Sequence, residues 1–135
     1  MPTILETAAK LDNMLKVGWA GATPIAVDNI PFTETVGQAY LQTQFILYAT
    51  YNANIGAALN LRKRSEGVLH IVIRTPINEG VGLAYSYAQT ISGIMDNQNP
   101  LPNLFTYVTD IRRAGDGEDG WFTLLADVPF LSDEA

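Results

Sequence analysis

The sequence predicts an α+β fold: one antiparallel or mixed β-sheet, two helices packed on one of its faces, and a projecting loop or hairpin arm. Three observations carry this. The elements read in the order helix, strands, helix, strands. Two short apolar stretches, Pro24-Ile25-Ala26-Val27-Asp28-Asn29-Ile30-Pro31-Phe32 and Gly120-Trp121-Phe122-Thr123-Leu124-Leu125-Ala126-Asp127-Val128-Pro129-Phe130, read as strands that each end in Pro-Phe. Residues 50–64 are long and broken for a plain connection in a chain of 135 residues. That length suits one domain, spanning 1–135.

The first helix is expected over about residues 4–17. Thr3-Ile4-Leu5-Glu6 reads as a capping box, in which the Thr3 hydroxyl accepts from the Glu6 amide. Ile4, Ala8, Leu11 and Leu15 recur at helical spacing, Leu5 and Met14 widen the stripe, and Gly18 is a stop signal. Glu6, Lys10, Asp12 and Lys16 mark the solvent face. Residues 24–29 alternate as a short strand, whose pairing should end near Pro31 because proline cannot donate to a ladder.

Residues 39–48 form the clearest amphipathic strand. Leu41, Thr43, Phe45 and Leu47 fit a core; Tyr40, Gln42, Gln44, Ile46 and Tyr48 make a polar and aromatic face. Asn52, Asn54, Gly56 and Asn60 then break up an arm or extended hairpin that carries Ile55 and Leu59 and closes on Arg62-Lys63-Arg64. Residues 66–74 read as a strand with Leu69, Ile71 and Ile73 inward, central because its other face is largely apolar too.

Asn78 can cap a second helix over about 79–95, with Val81, Ala84, Tyr85, Ala88, Ile91, Ser92 and Met95 as its stripe. Gly80, Gly82 and Gly93 weaken it, each by up to about 1 kcal/mol against alanine in a helix interior. Residues 97–103 are an irregular crossover. Residues 104–113 and 120–130 are two strands around an acidic tip at residues 114–119. In the last strand Phe122, Leu124, Ala126, Val128 and Phe130 share one face. Residues 131–135 read as a short acidic tail.

The composition bounds function by exclusion. Charged residues make up 16% of the chain, below the usual quarter, which leaves more neutral surface for partners to cover. The net charge of −6 argues against nonspecific nucleic-acid binding, though an acidic surface can surround DNA that must slide. With no cysteine there is neither a disulfide nor a thiolate metal site. No apolar run approaches the roughly 20 residues a bilayer span needs, and the N-terminal residues do not have the pattern of a signal peptide.

No residue set supports a reaction. His70, the single histidine, reads as a hydrogen-bonded sheet residue between Val68 and Val72. Asp116, Glu118 and Asp119 read as a solvated acidic turn, since the EF-hand pattern is missing. Gly80-Val81-Gly82 has Tyr85 where a dinucleotide fingerprint needs its third glycine. Arg62-Lys63-Arg64 and Arg112-Arg113 admit two readings, a solvated protective edge or a patch that salt-bridges an acidic neighbour such as a second copy of the chain. Tyr40, Tyr48 and Tyr51 suit either internal packing or an interface.

Taken in order, the Pro24–Phe32 strand, Tyr40-Leu41-Gln42-Thr43-Gln44-Phe45-Ile46-Leu47, the arm, Gly67-Val68-Leu69-His70-Ile71-Val72-Ile73-Arg74-Thr75-Pro76, the glycine- and alanine-rich helix and the closing Gly120–Phe130 strand resemble the tail terminator proteins of long-tailed double-stranded DNA bacteriophages. The resemblance implies a structural virion protein, assembled in the host cytoplasm. Its copies, usually six, would form a ring on the head-proximal end of the tail tube, stop tube growth and present a docking surface to the head connector. DNA would pass through the lumen without specific binding, and no membrane is involved. It implies no catalytic residue, cofactor or metal. The residues expected at subunit or tail-tube interfaces are Tyr48, Tyr51, Ile55, Leu59, Arg62, Lys63, Arg64, Asp116, Glu118 and Asp119. The competing expectations are another neck or head-completion protein and, less favoured by the residues, a small-molecule-binding enzyme.

Overall fold

The computed structural model describes residues 3–27, 32–33, 37–52, 63–77, 81–116 and 120–134, and only the backbone of 115, 116 and 134. The Thr3 hydroxyl accepts from the Glu6 amide at 3.1 Å and starts α1 (Ile4–Trp19), as the capping box requires. Thr7, Leu11, Leu15 and Trp19 are its buried residues; Leu5, expected in the stripe, is 79% exposed. The helix runs past Gly18. It ends at Ala20, whose left-handed backbone (φ 53°) lets its amide bond the Lys16 carbonyl. Gly18 instead lies against α2 (Val81–Met95): a Cβ there would stand 2.8 Å from the Ile94 side chain. The glycine permits a close helix–helix approach where the sequence suggested a stop.

Among the described residues six strands form one mixed sheet: β1 (Ile25–Ala26), β2 (Tyr40–Asn52), β3 (Lys63–Pro76), β4 (Leu104–Thr106), β5 (Asp110–Asp116) and β6 (Trp121–Glu134). The order is β1-β2-β3-β6-β4, and β5 also pairs with β6. Since β3 takes one edge of β6, β4 and β5 share the other, end to end. Among the described strands only β1–β2 is parallel. The expected strand over 104–113 is thus interrupted: Tyr107 still donates to the Pro129 carbonyl, and Asp96 captures Thr109. The expected acidic tail is also sheet, because β6 continues to Glu134 beside β3 and β4. β1 keeps two residues of the strand expected over 24–29; residues 28–31 lie outside the described residues.

The core lies between the helices and one sheet face. Leu41 of β2, Leu69, Ile71 and Ile73 of β3, and Phe122, Leu124, Ala126, Val128 and Phe130 of β6 meet Leu11, Leu15 and Trp19 of α1 and Ala84, Ala88, Ile91 and Met95 of α2. These are the inward positions that the period-two pattern of β3 and β6 dictates. Burying each large aliphatic side chain contributes roughly 1.5–3 kcal/mol. Leu47, expected inward, is 41% exposed; it is the last in-phase residue before a register shift between Leu47 and Ala49, beyond which the alternation of β2 changes. Both Pro-Phe phenylalanines pack on aromatic residues of β2: Phe32 lies 5.1 Å from Tyr40, and Phe130 stacks on Phe45 at 5.1 Å.

Gly67 sits at that irregularity. A Cβ there would meet the Ile46 carbonyl oxygen at 2.1 Å and the Phe130 ring at 2.9 Å. Gly67→Ala therefore forces backbone apart and should cost about 3 kcal/mol, read as a lowered urea midpoint. Gly93, exposed in α2 with nothing within 4 Å of its missing Cβ, should behave oppositely. Gly93→Ala should raise the midpoint by up to about 1 kcal/mol equivalent.

Candidate functional site: the arm root and the uncovered sheet

The arm begins as a three-stranded extension of the sheet. Beyond the register shift, Ala49, Thr50, Tyr51 and Asn52 of β2 pair with Glu66, Ser65, Arg64 and Lys63 of β3. The same β3 residues pair on their other side with Leu131, Ser132, Asp133 and Glu134 of β6. Arg64 donates from Nε to Asp133 Oδ1 at 2.7 Å and from Nη2 to Oδ2 at 3.0 Å, the two-pronged geometry that a planar guanidinium allows. The Asp133 hydrogen bond raises the Arg64 pKa further above its ordinary value. Tyr51 donates its hydroxyl to Glu66 at 2.9 Å, and this bond pushes the phenol's pKa up. Under the arm, Thr50 and Ser65 hydroxyls meet at 3.3 Å, and those of Ser132 and Thr7 meet at 3.1 Å, tying the root to α1.

The expected interface residues therefore fall into three groups. Tyr48, Tyr51, Lys63 and Arg64 stand at the arm root, with Tyr48 66% exposed and Arg64 engaged within its own chain. Ile55, Leu59, Arg62, Glu118 and Asp119 lie outside the described residues. Asp116 ends β5, where its backbone pairs with Phe122. Phe122 and Asp133 lie toward the two ends of β6, on the order of 35 Å apart at strand rise, so the backbone of Asp116 and the basic arm root stand at opposite ends of the sheet.

The sheet face away from the helices carries a polar row. His70 and Asp127 face each other across β3 and β6, and His70 Nδ1 bonds Asp127 Oδ1. Arg112 donates from Nη2 to Asp127 Oδ2 at 2.7 Å, and its Nε lies 3.4 Å from Asp110. The reading of His70 as a hydrogen-bonded sheet histidine holds. Arg113 is engaged too, 4.9 Å from the centre of the Phe122 ring. A groove beside Thr23, Gln38, Pro76 and Tyr87 has no carboxylate, histidine or basic residue among its described lining. Among the described residues no group of three or more His, Cys, Asp or Glu could hold a metal ion, and no helix is long and apolar enough to cross a membrane.

Asp133 and Asp127 escaped the sequence reading as structural partners. The signal for Asp133 was present: Ser132 continues the inward alternation of Phe122 to Phe130, which extends the strand through 133. The connection from α2 to β5 is fixed by Asp96, which accepts from Ser92 Oγ at 2.5 Å and from the Thr109 amide and hydroxyl at 2.8 and 2.6 Å. Beside it, Thr106 donates its hydroxyl to the Met95 carbonyl at 2.5 Å and accepts the Gln98 amide at 2.8 Å. These bonds set the path of residues 104–109 along β6.

Comparison with known proteins follows this geometry. A family model described as phage tail terminator protein matches residues 6–119. One solved structure aligns over 95% of this chain and 95% of its own, with a TM-score of 0.60 and 18% sequence identity, which shows a shared fold. No curated protein matches the sequence.

Burial pushes the Asp96 carboxyl up, but the bonds from Ser92 and Thr109 outweigh it and leave its pKa below 3.8. Its folded pKa thus lies below its unfolded one, so its stabilisation is complete above the unfolded value and fades as pH falls through the folded one. Asp96→Asn should cost about 1–3 kcal/mol near neutrality. The gap between the two proteins should close as pH drops below 3.8, measured by urea unfolding at stepped pH.

Proposed function

The chain belongs to the phage tail terminator protein family, a family of tail structural proteins, and on that basis we propose that its copies form a ring on the head-proximal end of the tail tube. The family match over residues 6–119 carries this reading. The ring, six copies by the family resemblance, stops addition of tube subunits and gives the head connector a surface to dock on. The protein transforms no substrate. The described groove without acid–base groups and the internally paired His70 support that. The arm root and the acidic end of β5, at opposite ends of the sheet, suit a part that must address two axial partners, the tube on one side and the connector on the other. A net charge of −6 suits a lumen through which DNA slides without adhering.

The test is assembly with the gene product withheld. Tails made without it should be overlong by negative-stain microscopy, and purified protein added during assembly should restore a uniform length. Tubes of normal length that lack heads would overturn the proposal in favour of another neck protein. Purified virions should contain the chain. At physiological salt the protein should leave the mobility of duplex DNA unchanged in a gel.

A further inference from the structure

The helices cover one face of the sheet, and among the described residues no element lies over the arm-root half of the other. An antiparallel sheet with one wet face turns polar residues toward it. Here that face carries Val68 of β3, Pro129 and Leu131 of β6 and Ile46 of β2, at the positions that alternate with the core residues. Phe105 and Tyr107, on either side of the inward Thr106, add two large side chains, 39% and 46% exposed. Ile46, Val68 and Pro129 share one rung, and Val68 is only 7% exposed although no helix lies above it.

The polar groups that rim this patch are already paired. Asp127 holds His70 and Arg112 on one side of it, and Glu66 accepts the Tyr51 hydroxyl on the other. Covering the patch leaves none of these charges without its partner, and an apolar centre inside a satisfied polar rim is the anatomy of a protein interface. Four strands at about 4.8 Å spacing, over the seven residues from Glu66 to Val72 at about 3.4 Å each, make a patch of roughly 450 Å² in plan. Covered by a protein surface it removes roughly 900 Å² from water in all, close to the ~1,000 Å² that a specific interface needs and more than one added strand or a small ligand would cover.

We propose that α2 of a second copy of this chain covers this face. Copies that each carry a net charge of −6 repel one another, so they join best through surfaces without net charge. The sheet patch is one. The other is α2, which has no charged residue in its 15 and leaves Val81 and Tyr85 47% and 45% exposed. At about 1.5 Å per residue α2 is about 22 Å long, which matches the extent of the patch along the strands. A helix laid there would give the sheet a helical layer on both faces, a stable arrangement of layers. The patch and the outer side of α2 lie on opposite sides of the subunit, so the contact is head-to-tail, the kind that closes into rings. This assignment rests on the ring reading and names the two surfaces that join its subunits.

The cysteine-free chain permits a direct test. Gln89→Cys on α2 and Tyr107→Cys on the sheet, both at exposed positions, are made singly and together, and folding is checked by thermal melts. Each is treated with a short bis-maleimide, as free protein and within assembled tails, and native mass spectrometry of untreated protein and images of the tails report whether rings exist. The double variant should give a ladder of covalent multimers that ends at the copy number of the ring, and each single variant should stay monomeric. Gly93→Arg, four residues on from Gln89 with nothing within 4 Å of its missing Cβ, sets a charge on the same side of α2. Its urea midpoint should match or exceed that of the parent, while its rings should form only at higher protein concentration. Rings without a ladder, or rings that Gly93→Arg leaves unchanged, would overturn this pair of surfaces, give the sheet face to another occupant and leave the terminator reading intact. Covalent dimers from Tyr107→Cys alone would overturn it by showing a two-fold contact between sheet faces. Absence of rings both free and on tails would overturn both proposals.

Discussion

The pairing of β3 with β6 is the constraint on which the rest depends. It runs without interruption from Lys63 opposite Glu134 to Pro76 opposite Trp121. Its middle supplies the inward side chains against which both helices pack. Its lower end, where Arg64 meets Asp133, roots the arm. Its outer partners, β2 on one side and β4 with β5 on the other, inherit their heights from it. A shift of one residue in this register would turn Leu69, Ile71 and Ile73 to the solvent side and carry His70 into the core. The paired rows of alternating side chains make such a slip costly, so one register fixes core, arm and edges together.

Much of this was legible because it depends on period alone. The inward face of β6, the inward face of β3 and the capping box of α1 follow from spacing, and the structure has them. What escaped depends on contacts across distance in sequence. Gly18 looks like a stop until Ile94 lies over it. The alternation of β2 looks continuous until the irregularity after Leu47 shifts it. Asp133 looks like a tail residue until Arg64 claims it. A single strand over 104–113 looks continuous until Asp96 holds Thr109 and divides it. Only the extension of the last strand through Asp133 had a local signal, the alternation that Ser132 continues; the other departures come from a side chain or backbone approach that no local pattern encodes.

The charges at the candidate site were legible as residues and not as partnerships. Arg64, Arg112 and Arg113 each have a partner within the chain, a carboxylate or a ring. A buried or half-buried ion pair positions its neighbours more reliably than it stabilises them, since desolvation offsets much of the Coulomb attraction. Here the Arg64–Asp133 pair ties β3 to β6 at the root of the arm, and the His70–Asp127–Arg112 row ties three adjacent strands on the uncovered face. The basic clusters therefore read first as internal ties that stiffen the sheet. Lys63, exposed at the arm root, remains the cation placed to meet a partner among the described residues of the first cluster.

The edges of the sheet are guarded by different means. β1 covers Leu41 and Gln42 of β2. Asp110, Arg112 and Arg113 place charge along β5. Residues 104–109 carry no charge, and the chain closes their edge itself: Leu104 and Thr106 donate their amides to the Leu101 and Gln98 carbonyls, and Thr109 donates to Asp96. The crossover from α2 therefore does more than join two elements. By taking the outward amides of this stretch it holds the outer strand against β6 and denies that edge to a stray strand, so the bonds that set the path of the chain also protect the sheet.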